Sequence, residues 1–177
     1  MFKRLFQIVC LIVFLPMTQS CVSAYITADK SKEYDGKIKE IVVFLYGEKR
    51  TFSFFNRLHD KLSTQFEKQG IKAHFHSLNT TSFETEADIL EKTYKNITPD
   101  CVMSIRLEDI SNTSFGPVWL IPNKLNTKFK MEAYQPKTLK PIWKAEISSD
   151  TQMGFSSMTN KSAKLIVKTM KEDGLFE

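Results

Sequence analysis

Two histidines placed two residues apart come closest, in this sequence, to a metal-binding pattern. His74 and His76 lie in the alternating segment IKAHFHSL, and on a β-strand such side chains point to the same face. A zinc site needs a third and usually a fourth ligand. The remaining histidine, His59, falls in a predicted helix, and no carboxylate follows at ligand spacing. We therefore expect no metal and interpret the pair as an exposed strand face.

Nucleophilic and phosphate chemistry have no recognisable pattern either. The sequence lacks a Gly-x-Ser-x-Gly turn, and its six glycines are too scattered for a phosphate-binding loop. Cys101 lies in the apolar run CVMSI, which is typical of a buried thiol rather than a reactive one. These patterns predict a protein that is not an enzyme and that uses no cofactor.

Three charged residues keep a second interpretation open. Glu108 and Asp109 follow the third predicted strand, and Lys49 follows the first. Open α/β sheets tend to place their sites at the carboxyl ends of strands. An enzyme or small-ligand site at the carboxyl ends of strands one and three is therefore the alternative to a non-catalytic binding protein.

One loop is unusually apolar and is the candidate docking surface for a partner. It lies in the segment FGPVWLIP, and its candidate docking residues are Phe115, Val118, Trp119, Leu120 and Ile121. The segment either packs onto the protein's own sheet, as most large aromatic side chains do, or meets a partner or a membrane. Trp143, by contrast, lies inside a predicted strand and is expected in the core.

The first 21 residues have the composition of a secretory signal. Lys3 and Arg4 precede an apolar run at residues 5–15, Pro16 ends the run, and small or polar residues lead to Cys21. The run is too short to span a bilayer, which needs about 20 residues.

The ending Ser20-Cys21 resembles the cleavage site of a bacterial lipoprotein signal, in the looser form common among Bacteroidetes-type lipoproteins. The resemblance implies a signal peptide at 1–20 and acylation of Cys21, which would anchor the protein in the cell envelope at the outer membrane. An ordinary secretory cut after Ala24 and an uncleaved anchor are the alternatives. We expect the lipidated cysteine and a tether at 21–36 and an α/β domain at 37–177.

Charge and cysteine content narrow the range of partners. Removing residues 1–20 takes away two of the 25 basic residues and none of the 20 acidic ones, which leaves 157 residues with a net charge of +3. The lysines are dispersed, so we expect no nucleic-acid binding. Cys10 leaves with the signal and Cys21 is acylated, so Cys101 has no disulfide partner. The expected partners are the membrane, through lipid on Cys21, and an envelope protein.

Hydrophobic periodicity predicts a single α/β domain in the order β-α-β-α-β-β-β-α. The predicted strands cover 38–46, 71–78, 100–107, 127–134 and 142–147, and the predicted helices cover about 53–69, 86–95 and 160–173. Two crossover helices require parallel pairing among the first three strands, and the last two form an antiparallel hairpin. We expect three layers and a mixed five-stranded sheet, with the first strand central and the second at or near an edge. Residues 22–36 are polar and poorly periodic, which is typical of a tether.

Four segments carry a resemblance that covers the whole predicted domain. They are KIKEIVVFLYG, PDCVMSI, IWKAEI and LIVKTMKEDGLF. Their order resembles small envelope lipoproteins whose α/β domain is similar to the amino-terminal domain of TolB and to that of penicillin-binding-protein activator lipoproteins. The resemblance implies a binding or assembly role in the envelope. We therefore expect a membrane-anchored, non-catalytic lipoprotein that binds a protein or a cell-wall component.

Overall fold

The computed structural model describes residues 22–48, 51–79, 85–113, 124–151 and 154–177. Within these residues the chain forms six strands and three helices, in the order β-β-α-β-α-β-β-β-α. The strands are β1 (Val22–Lys30), β2 (Glu40–Gly47), β3 (Lys72–Asn79), β4 (Cys101–Thr113), β5 (Lys124–Tyr134) and β6 (Pro141–Thr151). The helices are α1 (Phe52–Lys68), α2 (Glu86–Tyr94) and α3 (Phe155–Glu172).

All six strands lie in one mixed sheet, in the order β1-β6-β5-β4-β2-β3. β2 pairs in parallel with β3 and β4, whereas the β4–β5, β5–β6 and β6–β1 pairs are antiparallel. The predicted mixed sheet and the edge position of β3 are confirmed. The strand predicted to be central, β2, is internal but lies next to the edge strand β3. The predicted count of five strands is wrong, because β1 adds a sixth strand at the edge beside β6.

β1 is formed by residues that the sequence predicted as part of a tether. It pairs with β6 from its first residue, Val22, which lies opposite Thr151. Ile26 and Ala28 point inward and pack against the core. Of these two inward side chains only that of Ile26 is large, so the alternation of apolar and polar residues along β1 is too weak to predict a strand. The segment depends on main-chain pairing with β6.

α1 and α3 cover one face of the sheet and enclose the main core. The α1 stripe predicted from the sequence is buried there, and it consists of Phe55, Leu58, Leu62 and Phe66. α3 begins at Phe155, five residues before the predicted start. Phe155 packs edge-on against Phe54, with ring centroids 5.7 Å apart, and this contact extends the helix over a polar stretch that gave no periodic signal.

α2 lies on the opposite face and forms a second, smaller core. Its Ile89 and Leu90 pack on side chains of β2, β3 and β4, namely Val42, Phe44, Leu78 and Val102. The predicted capping arrangement is confirmed, since Thr85 accepts a hydrogen bond from the Asp88 backbone N–H at 3.2 Å and donates its own N–H to the Asp88 carboxylate at 2.8 Å. The three predicted layers are therefore present over this part of the sheet.

Among the described residues, no helix covers the same face over β1, β6 and β5. Exposed or half-exposed charged side chains alternate in sign across these strands, and they include Lys128, Lys130, Glu132, Lys144 and Glu146. Within the part of the chain that the structure describes, helices therefore cover the sheet on both faces at its β2–β3 side and on one face elsewhere. Among the described helices, none has the length and apolar character needed to cross a membrane.

Candidate functional site

The predicted docking residues Phe115, Val118, Trp119, Leu120 and Ile121 lie outside the described residues, as does Cys21. The residues that flank them are described. Thr113 at the end of β4 lies opposite Lys124 at the start of β5, so residues 114–123 connect two paired strand ends. Val22 lies opposite Thr151, which also lies opposite Leu125. The first residue after Cys21 and both flanks of the apolar loop therefore belong to one end of the sheet, which we call the anchor end.

Side chains from two neighbouring elements, α3 and β6, fix the first described residues of β1. Lys161 of α3 donates a hydrogen bond to the Val22 carbonyl oxygen. The Ser23 hydroxyl donates to Asp150 of β6 at 2.5 Å, and Asp150 also lies 3.5 Å from the Lys124 ammonium. The chain is therefore held in the sheet from the residue that follows Cys21.

His74 and His76 lie on the same face of β3, as the sequence predicted, but they have different neighbours. His74 Nε2 lies 3.0 Å from Glu40 Oε1 on β2. The His76 ring lies against Phe44, with ring centroids 5.6 Å apart. His59 lies against Phe75, whose side chain points to the other face of the sheet. In the described ranges, no group of three His, Cys, Asp or Glu side chains could hold a metal ion.

A cleft of about 640 Å³ runs between β3 and α2. One wall is formed by His74 to Ser77 of β3, and the other by residues on and after α2, namely Ile89, Lys92, Thr93, Asn96 and Ile97. The cleft is mixed in character, with two histidines and a lysine beside aliphatic side chains. It suits an amphipathic group better than a purely apolar one.

The alternative site predicted at the carboxyl ends of β2 and β4 is a smaller cleft of about 310 Å³. Glu108 and Asp109 line it, at a register shift of β4, whereas Lys49 lies outside the described residues. Glu108 lies 2.5 Å from Lys130 and 3.8 Å from Lys128. Hydrogen bonding and attraction from Glu146, with a smaller contribution from Glu108, raise the pKa of Lys128. Glu108 thus lines the cleft and is at the same time paired with two lysines in a surface charge network.

A half-buried tyrosine–glutamate cluster under α2 was not predicted. Tyr134 donates a hydrogen bond to Glu86 at 3.1 Å, and burial, followed by Glu86, raises the pKa of both Tyr134 and Tyr46. The Arg106 guanidinium lies over the Tyr46 ring, 4.2 Å from its centroid. Both tyrosines therefore stay protonated, and they hold the first turn of α2 on the sheet. No sequence signal links Glu86 and Tyr134, because they are 48 residues apart.

Cys101 and Trp143 are structural, as the sequence predicted. Cys101 is fully buried, and burial raises the pKa of its thiol, so the thiolate is disfavoured. Trp143 is 1% exposed, and its indole N–H donates to Asp173 at 2.6 Å. Neither side chain is available to a ligand.

No family model matches the chain, and no curated protein matches it. The chain is similar in structure to a PelC dodecamer from Paraburkholderia phytofirmans, with a TM-score of 0.56 and 10% identity over 82% of this chain and 95% of that chain. A leucine-to-methionine variant of the PelC dodecamer gives a TM-score of 0.54 at 9% identity, over the same shares of 82% and 95%. Lipoprotein GNA1162 from Neisseria meningitidis gives 0.46 at 13% identity, over 75% of this chain and 98% of that chain. The PelC likeness shows a shared fold. The resemblance to TolB and penicillin-binding-protein activators stays a prediction.

Proposed function

We propose that this chain is a membrane-anchored, non-catalytic envelope lipoprotein that binds a protein or a cell-wall component. The observation that carries the proposal is that Val22, the residue after Cys21, is already paired with β6 as part of β1. An ordinary secretory cut after Ala24 would remove three residues of β1, including Val22 and Ser23 with their contacts to Lys161 and Asp150. Cleavage before Cys21 keeps all the described residues of β1, Val22–Lys30, in the mature chain.

The same observation changes how a lipid anchor would hold the domain. Consecutive Cα atoms are about 3.8 Å apart, so Val22 would stay beside the acylated residue. The anchor end of the sheet would then face the bilayer, without the 15-residue spacer that the sequence predicted. Each buried methylene contributes about 0.8 kcal/mol, so several acyl chains would hold the domain there essentially permanently. We propose the outer membrane as its location.

A binding role is supported by the contacts that the polar side chains in the clefts make. His74 lies beside Glu40, and Glu108 lies beside two lysines, so these groups contact neighbours within the fold. The PelC structures with the same fold are dodecamers, which means that PelC assembles with copies of itself. This supports, for the present chain, a role in assembly or binding.

The test is the intact mass of protein extracted from membranes, with Cys21→Ser as the control. We expect the wild-type protein to begin at Cys21 and to carry lipid, and the variant to lose the lipid and leave the membrane fraction. Separation of inner and outer membranes on a density gradient tests the location. A wild-type chain that begins at Val22 or later, or that is recovered without lipid, contradicts the proposal.

A further inference from the structure

We propose that the partner of this domain is a second copy of the same chain, and that the β1 edge of one copy pairs antiparallel with the β3 edge of the next. The inference deepens the binding role proposed above and rests on it. It joins two features on opposite sides of the molecule. One is the β1 edge, and the other is the β3 edge together with the cleft between β3 and α2.

Both edges offer a row of main-chain groups, apart from the Val22 carbonyl oxygen, which accepts a hydrogen bond from Lys161. Among the described residues β1 pairs with β6 alone and β3 with β2 alone, over nine and eight residues, without a register shift in either pair. Neither strand contains proline. Native edge strands are blunted by bulges, prolines, short length or charged side chains, and an unprotected edge is a template for another strand. β1 and β3 carry charged side chains, among them Asp29 and Lys72, but have no bulge and no proline.

The strand directions fit this pairing. Three antiparallel steps separate β1 from β4, and β4, β2 and β3 are parallel, so β1 runs antiparallel to β3 within one copy. When a second copy is placed beside the first with its strands in the same direction, its β1 meets β3 as an antiparallel partner. The anchor ends of all copies then lie on the same side, as a common membrane surface requires.

One register matches both faces of the new pair. With Ile26 of one copy opposite Phe75 of the next, Ala28 lies opposite Ala73, and these half-buried side chains continue the main core. On the other face, the same register sets the exposed Asp29 opposite the exposed Lys72. A shift of one residue would put the apolar side chains of one strand beside the polar side chains of the other.

Tyr25 adds an anchor to this interface. It is 72% exposed, and in the proposed register it lies opposite His76, at the cleft between β3 and α2. The cleft presents aliphatic side chains of Ile89 and Ile97 together with polar groups, which suits the apolar ring and the hydroxyl of a tyrosine. An exposed aromatic on one edge thus faces a cleft on the other.

The interface is head-to-tail, so it forms either a closed ring or an open filament. Lipid on every Cys21 would require all the anchor ends to lie in one plane. A ring whose axis is perpendicular to the membrane meets this requirement, whereas a helical filament lifts successive copies away from the surface. We therefore infer a closed ring.

Disulfide trapping between two singly substituted chains tests the pairing. Directly opposed side chains have Cβ atoms about 4.5–5.5 Å apart, which overlaps the range that a disulfide can bridge. Lipidated Tyr25→Cys and His76→Cys proteins in mild detergent, mixed and oxidised, should give a disulfide-linked heterodimer. Cys101 is buried and Cys21 is acylated in these proteins, so only the introduced thiols react. His76→Cys mixed with Lys130→Cys, whose thiol would lie in the middle of the sheet, should give none.

A charge exchange tests the register. Asp29→Lys and Lys72→Glu should each weaken association, by up to about fivefold per interface, and the double variant should restore it. Light scattering or native mass spectrometry of the detergent-extracted protein measures the oligomer. Three results would overturn the proposal. They are a monomeric wild-type protein, a disulfide-linked dimer formed by either cysteine variant alone, and a double charge variant that associates no better than the single charge variants. The intact mass of the same preparation reports lipid on Cys21, so a failure of the pairing is distinguished from a failure of the anchor.

Discussion

Tyr34, Tyr46, Tyr134 and Cys101 set the response of this fold to alkali. Burial is the first cause of the raised pKa in each case, and it raises the pKa of Tyr34 to about 12. In the unfolded chain, thiols and phenols lose their protons from about pH 8.5 and pH 10. Above those values the unfolded chain binds fewer protons than the folded chain, so stability falls as pH rises.

We expect the free energy of unfolding to be insensitive to these groups at pH 7.5 and to decrease measurably by pH 10.5. Urea denaturation at the two pH values measures the change. In Tyr134→Phe the decrease should be smaller, because one of the groups that lose a proton on unfolding is gone. An equal free energy at both pH values would mean that these side chains are exposed.

The hydrogen bond between Trp143 and Asp173 joins β6 to the end of α3. Trp143→Phe keeps an aromatic ring in the core but removes the N–H, and it should destabilise the domain by about 1.5–3 kcal/mol, the range for a hydrogen bond to a charged group. Asp173→Asn keeps an acceptor oxygen and should cost less. Chemical denaturation measures both variants, and a Trp143→Phe change within about 0.5 kcal/mol would contradict the contact.

At the level of elements, the sequence predicts segments with strong periodicity and misses those held by their neighbours. β2 is continuously apolar and α1 carries a four-residue stripe, so both are evident without tertiary information. β1 and the extensions of β4, β5 and β6 towards the anchor end are rich in polar residues, and some of these, such as Ser149 and Thr151, are buried all the same. Their pairing depends on strands far away in the chain, which no local pattern reports.

A matched pair of substitutions tests β1. Ile26 packs against the core and Tyr25 points to solvent, so Ile26→Ala should destabilise the domain by about 1–2 kcal/mol and Tyr25→Ala by no more than about 0.5 kcal/mol. Chemical denaturation is measured at a protein concentration at which light scattering shows a monomer. The effect of each substitution on folding stability is then separate from any effect on association. Two equally small effects would mean that residues 22–30 are a tether after all.

At the level of the whole molecule, the features that bear on function lie at the two edges of the sheet and at its anchor end. The two histidines share a face, as the sequence predicted. Glu108 and Asp109, predicted to follow a strand, instead lie within β4, where they line a cleft beside the end of β2. The Tyr134–Glu86 contact and the edge position of β1 could not be predicted, because each depends on residues that only the folded sheet brings together. Which strands form the two edges, and which residues meet at the anchor end, depend on the order of the strands in the sheet. A sequence alone does not specify that order.

The proposed function requires that Val22, within a folded strand, directly follows a lipid-bearing Cys21. Hydrogen exchange of membrane-extracted protein, followed by mass spectrometry of its amino-terminal peptide, tests both parts together. We predict a peptide that begins at Cys21 with the added mass of lipid and whose amides across Val22–Lys30 are protected by pairing with β6. A peptide without lipid, or one whose amides exchange as fast as those of an unstructured chain, would contradict the account.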